Sequence, residues 1–83
     1  MAMIDRDSAR TWSRERTTQE LEDLRRIISE NRATIQEHGE VIRKREQEIH
    51  PGRIVERLED QISFLENEIA DAENDIEFLK SLL

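Results

Sequence analysis

Every seventh residue from Val55 to Leu83 is a bulky aliphatic: Val55, Ile62, Ile69, Ile76 and Leu83. A second row follows three residues later, at Leu58, Leu65, Ala72 and Leu79. This is a heptad pattern, with mostly β-branched residues at a and mostly Leu at d. A narrow apolar seam of that period belongs to a helix, and another helix must cover it.

An earlier stretch carries the same period. Its a row is Leu21, Ile28, Ile35, Ile42 and Ile49. Its d row is Leu24, Asn31, His38 and Arg45, polar after the first member. Ile27, Thr34 and Val41 lie beside the seam at g, so the apolar stripe leans toward a and g. Gly39 costs about 1 kcal/mol against Ala in mid-helix. It marks either a close approach of another element or a weak turn.

Between the two periodic stretches stands His50-Pro51-Gly52-Arg53. Proline disfavours the helical region for His50, and Pro-Gly suits the central positions of a type II turn. Alternatively, Pro51 opens the second helix at its first position. Arg43, Lys44 and Arg45 before the break, and Glu56, Glu59 and Asp60 after it, both suit the helix dipoles. Upstream, Thr17 and Glu20 have capping-box spacing and mark a helix start, although nothing between residues 8 and 17 forbids a start as early as Ser8. The chain therefore divides into residues 1–16, a first helix over 17–50, a turn at 51–53, and an acidic heptad helix over 54–83. Each long helix spans roughly 45–50 Å.

Residues 1–16 show no clean period. Arg6, Arg10, Arg14 and Arg16 mix with Asp5, Asp7 and Glu15, and the apolar residues are Met1, Met3, Ile4, Ala9 and Trp12. One reading is a frayed tail or a helical extension. The other is a docking arm anchored by Trp12 and the Met/Ile cluster, since Trp and Arg most often carry interface energy.

These features predict an all-α fold: two long helices with heptad repeats, as a helical hairpin or coiled coil, oligomeric or packed in a larger assembly. In an antiparallel pair, facing residues have a constant index sum. A sum of 100 places Ile42 by Leu58, Ile35 by Leu65, Ile28 by Ala72, Leu21 by Leu79 and Leu24 by Ile76. At the flanking e positions it pairs Arg32 with Glu66 and Arg25 with Glu73. A sum of 107 brings Arg25 near Lys80 and Glu46 near Glu59, both repulsive. Such exposed pairs are worth only about 0–1 kcal/mol each, so they select register rather than supply stability.

Two other arrangements compete with the hairpin. Ile at a and Leu at d also favour a parallel pair of second helices, which would oppose Glu68 with Glu73 of the neighbour. A continuous bent rod is the third option. Phe64 and Phe78 at c, with Ile54 and Leu82 at g, widen the apolar arc of the second helix to about 160° on the helical wheel. They are either isolated surface residues or the contact face for a second covering helix. The predicted interface is thus the two a/d rows, with Trp12, Phe64 and Phe78 as secondary contacts.

Composition bounds the function. Eighty-three residues make one small domain, and a chain that is 40% charged and 4% aromatic suits exposed helices rather than a thick core. Residues 1–32 hold seven Arg against seven acids, and residues 33–53 three Arg and one Lys against four. Residues 54–83 hold Arg57 and Lys80 against nine acids, so the net charge of −7 sits on the last helix. No segment offers the basic face that nucleic acid requires. The chain has no cysteine, hence no disulfide or thiolate site. The N-terminus has no long apolar run, and no stretch approaches the roughly 20 apolar residues of a membrane span. The expectation is a soluble protein, intracellular or assembly-bound, without a secretion signal.

No motif carries chemistry. His38 sits in a polar d row, where such residues specify register, and His50 is a turn residue. Neither has the partners of a metal site. Asp71, Glu73 and Asp75 resemble a calcium loop only in spacing, because no Gly follows and the heptad runs through them. The acids of the second helix read most simply as a solvated face. No pocket is expected to separate the pKa values of paired carboxylates. The expectation is a non-enzymatic protein with no cofactor, metal or small-molecule substrate. Its role is structural: coiled-coil contacts with copies of itself or within a multi-subunit complex, such as a virion or other large machine. The alternative is a regulatory adaptor or inhibitor whose acidic helix binds a basic surface.

Overall fold

A computed structural model of the chain describes residues 4–47 and 53–83. They form three helices, α1 (Arg6–Ala9), α2 (Arg14–Glu46) and α3 (Ile54–Leu82). No strand occurs among the described residues. α2 and α3 pack against one another as a helical hairpin. The expected Pro51-Gly52 turn, with Ile49 and His50, lies outside the described residues.

Local hydrogen bonds explain where α1 ends and α2 begins. Asp5 caps α1: its carboxylate accepts the backbone N–H of Asp7 at 3.1 Å and of Ser8 at 3.4 Å, and the Ser8 hydroxyl at 2.9 Å. After one turn, the Thr11 and Trp12 N–H groups fold back onto the Ser8 and Ala9 carbonyls. Ser13 is then extended (φ −65°, ψ 159°), and its Oγ accepts the Arg16 N–H at 3.1 Å. That is N-cap geometry, so the cap of α2 lies four residues before the one expected at Thr17. Thr17 cannot cap, because its own N–H already donates to the Ser13 carbonyl within the first helical turn. Its side chain is buried, and Oγ1 donates to the same carbonyl at 3.1 Å.

α2 closes at Glu46 with the basic trio Arg43, Lys44 and Arg45 in its last turn, where the carbonyl end of the dipole favours cations. α3 opens behind Arg53 with no side-chain cap. Glu56 in its first turn supplies the favourable negative charge instead.

The core lies where the first turns of α2 meet the last turns of α3. Leu21, Leu24 and Ile28 of α2, Ala72, Ile76 and Leu79 of α3, and Ala9 of α1 are each at most 8% exposed. Ile4, Trp12, Ile69 and Phe78 pack around them. The molecule is a rod of 56 × 18 × 13 Å with a radius of gyration of 16.9 Å. A globule of this length would have a radius of gyration of about 12 Å. The accessible surface of 6252 Å² likewise exceeds the roughly 5,200 Å² of a compact monomer of this mass. Much of the apolar seam is therefore not enclosed.

Candidate assembly interface

The heptad rows divide into two halves. In the half next to α1, Leu21, Leu24, Ile28, Ala72, Ile76 and Leu79 are buried, and Ile69 is half-buried. In the half toward the chain reversal, Ile35, Ile42, Val55, Leu58, Ile62 and Leu65 are only half-buried. Ile49 lies outside the described residues, and Leu83 is 52% exposed at the C-terminus. Leu83 completes the a row by spacing, but α3 ends at Leu82, so no helix carries it into the seam.

The difference between the halves is a third element. A residue at a or d in a two-helix pair faces one neighbour, and its g and e flanks stay open. The arm fills the g flank at one end. Ala9 is 1% exposed there, with Ile4, Trp12 and Phe78 half-buried beside it. Arg6 reaches α3 twice: its guanidinium lies 5.1 Å from the centre of the Phe78 ring, and Nη2 donates to Asp75 Oδ1 at 3.3 Å. Arg10 lies 5.9 Å from the same ring, and Arg16 covers Trp12 at 4.6 Å. These distances suit attraction between cation and ring quadrupole. Residues 4–13 thus lie against the hairpin with a short helix of their own, and residues 14–16 belong to α2.

Asp75 departs from the expected solvated acidic face. Its side chain is fully buried and paired with Arg6. The heptad places it at g, under the arm, whereas Glu56, Glu59, Asp60, Glu66, Glu73 and Glu77 are exposed. A buried carboxylate needs such a partner, because burial without one removes its hydration uncompensated. Neither Arg6 nor Asp75 is singled out by local pattern, since they are 69 residues apart in sequence. A g position one turn before an aromatic at c was the only available hint.

Polar contacts across α2 and α3 report the register. Asn31 Nδ2 donates to Glu68 Oε2 at 3.0 Å, and their numbers add to 99, in keeping with the expected 100. Asn31 is thus a polar d residue satisfied across the seam. His38 and Arg45 in the same row are half-buried. On the e flank, Arg32 meets Glu73 at 3.3 Å rather than Glu66. The reason is side-chain direction. Helical side chains lean toward their own N-terminus, so in an antiparallel pair Arg32 and Glu73 lean together, while Arg25 and Glu73 lean apart. Arg25, Ile28, Ser29, Arg32 and Glu73 line an open cleft on this flank. Gly39 marks no close approach: a Cβ built there meets nothing within 4 Å.

On the g flank the open half exposes three large apolar side chains: Val41 at 40%, Ile54 at 44% and Phe64 at 62%. Here the secondary contacts part company, with Trp12 and Phe78 packed by the arm and Phe64 left in solvent. At the arm, the two hydrogen bonds from Ser8 to Asp5 hold that carboxyl below its usual value, the hydroxyl contributing most. Among the described residues no cluster of three or more His, Asp or Glu is arranged to hold a metal ion. No helix among them is long and apolar enough to cross a membrane.

Compared with protein-family models, with curated proteins and with solved structures, the chain finds no match in any of the three.

Proposed function

We propose that the protein is a non-enzymatic helical assembly module, joined to copies of itself or to other subunits of a complex through the open half of its hairpin seam. The observation that supports this reading is the contrast between the two halves. Where a third element covers the g flank, the a/d residues are buried; where none does, the same rows stay half-buried beside Val41, Ile54 and Phe64. Small helical chains with thin cores commonly gain their missing burial from a partner. The proposed mechanism is helix-on-helix packing, with the arm as an internal example of the third helix.

The test is light scattering behind size exclusion, with far-UV circular dichroism on the same peak, for the wild type and for Val41→Asp/Ile54→Asp. Both positions are exposed in the hairpin, so the substitutions spare its core. The expected result is a helical species larger than the 9.9 kDa chain, or one that becomes larger with its partner, and that returns to chain mass in the variant. A fully helical 9.9 kDa species that resists denaturation alone, and whose behaviour the variant leaves unchanged, would contradict the reading.

A further inference from the structure

We infer that the exposed Phe64 face of α3 is the seat for an arginine-bearing helix of a different protein, held as the arm is held on Phe78. The inference rests on the assembly reading and names the chemistry of the partner. Its basis is an internal repeat. Ile62-Ser63-Phe64-Leu65 and Ile76-Glu77-Phe78-Leu79 share the pattern Ile-x-Phe-Leu at the same heptad positions. The fourteen-residue offset is two heptads, or roughly 21 Å along the helix. Two equivalent phenyl rings therefore stand on one face of α3. One is covered by the guanidinium groups of Arg6 and Arg10 at 5.1 and 5.9 Å, and the other is 62% exposed.

The covered ring shows what the face accepts. The arm presents arginines one helical turn apart with a small residue, Ala9, directed inward at 1% exposure. The Phe78 ring meets both guanidinium groups, and the acidic helix supplies the carboxylate of Asp75. Around Phe64 the carboxylates come from Asp60 and Glu68, four residues to either side and on the same side of the helix. α3 holds Arg57 and Lys80 against nine acids, so its field favours a cationic occupant and opposes a second α3.

The occupant is not this chain's own arm. Arg6 and Arg10 are already seated on Phe78, and Gln61 stands where Asp75 stands in the covered seat. The Arg6–Asp75 pair would have no counterpart there. Arg57 likewise replaces Asp71. A partner must instead reach Asp60, which is exposed, or share Glu68 with Asn31, which separates the two seats in specificity.

The test is fluorescence anisotropy with the full chain and a labelled alanine-rich helical peptide carrying arginines at i and i+4 and alanine at i+3. Saturable binding is expected, weakened about 3–30-fold by Phe64→Leu, which keeps apolar bulk and removes the ring face. Phe64→Trp should restore it, and raising the salt concentration should weaken it. Phe64 is exposed, so these variants should keep wild-type helix content, checked by circular dichroism on each sample. Absence of saturable binding, or equal binding by wild type and Phe64→Leu, would overturn the inference. So would a wild-type oligomer that Phe64→Leu alone dissociates, because a second copy would then occupy the seat. If the peptide fails while Val41→Asp/Ile54→Asp still breaks assembly, the partner chemistry falls and the assembly reading stands.

Discussion

The two ends of this hairpin are built from the same heptad rows and reach different degrees of burial. At the arm end three elements converge, and Leu79 and Ala72 lose all contact with solvent. Toward the chain reversal, Leu58 and Leu65 occupy the same d row of the same helix and remain half-buried. Sequence pattern alone does not separate these residues. The lesson is that a two-helix seam is incomplete as a core: period places a side chain toward its partner, but a third element is needed to close the flank.

The largest test of that contrast is a matched pair of truncations. Leu79→Ala should destabilise by about 2–5 kcal/mol, as expected for a fully buried Leu. Leu58→Ala should cost less, about 1–2 kcal/mol, because part of its surface is already wet. Urea titration followed by circular dichroism reads both. Equal losses would mean that the open half is covered in solution, which would itself point to assembly.

Next in size is the clasp between the arm and α3. Arg6→Ala removes one charged partner of the buried Asp75 carboxylate and should cost about 1–3 kcal/mol, reduced from the fully buried case because Arg6 is half-exposed. Arg6→Ala with Asp75→Ala should cost less than the sum of the two single variants if the pair is coupled. Trp12 emission should shift to the red as the arm loosens, while α2 and α3 keep their helix signal. Additive effects would show that Arg6 and Asp75 act independently.

A smaller effect, of opposite sign, is expected in the open half. Gly39→Ala should stabilise by about 0.5–1 kcal/mol, since the backbone is helical and the added methyl meets open space. Destabilisation would reveal a neighbour at Gly39, and hence a packed partner on the e flank.

The smallest expected effect is in acid. Asp5 has a lower pKa folded than unfolded, so its cap contributes stability above the unfolded value near 3.8, and that contribution is lost as pH falls through the folded value. Below about pH 4 the α1 cap should weaken, read as a change in Trp12 fluorescence that Asp5→Asn removes. A change that persists in Asp5→Asn would assign the acid sensitivity to another carboxylate.

Much of the helical frame was legible. Strict sevens from Leu21 and from Val55 specify two long helices, and the structure forms them as Arg14–Glu46 and Ile54–Leu82. The polar d row reads as a device that sets register, and the structure adds that Asn31 of that row bonds Glu68 across the helices. Helix starts were less legible, because Ser13 and Thr17 are both capable caps and only backbone geometry chooses between them. The e-flank pairing was misplaced by one heptad, since residue numbers carry no side-chain direction.

By itself, the sequence determined the period, the helical state and the uneven charge, because each follows from residues close together along the chain. Only the tertiary structure decided that the arm folds back onto α3, that Asp75 is buried under Arg6, and that Phe78 is covered while Phe64 is not. Those outcomes join residues up to 69 positions apart. They depend on which flank a third element reaches, and local propensity holds no information about that. Two Ile-x-Phe-Leu segments with the same period met different fates for one reason: the arm lies on Phe78, and no described element lies on Phe64.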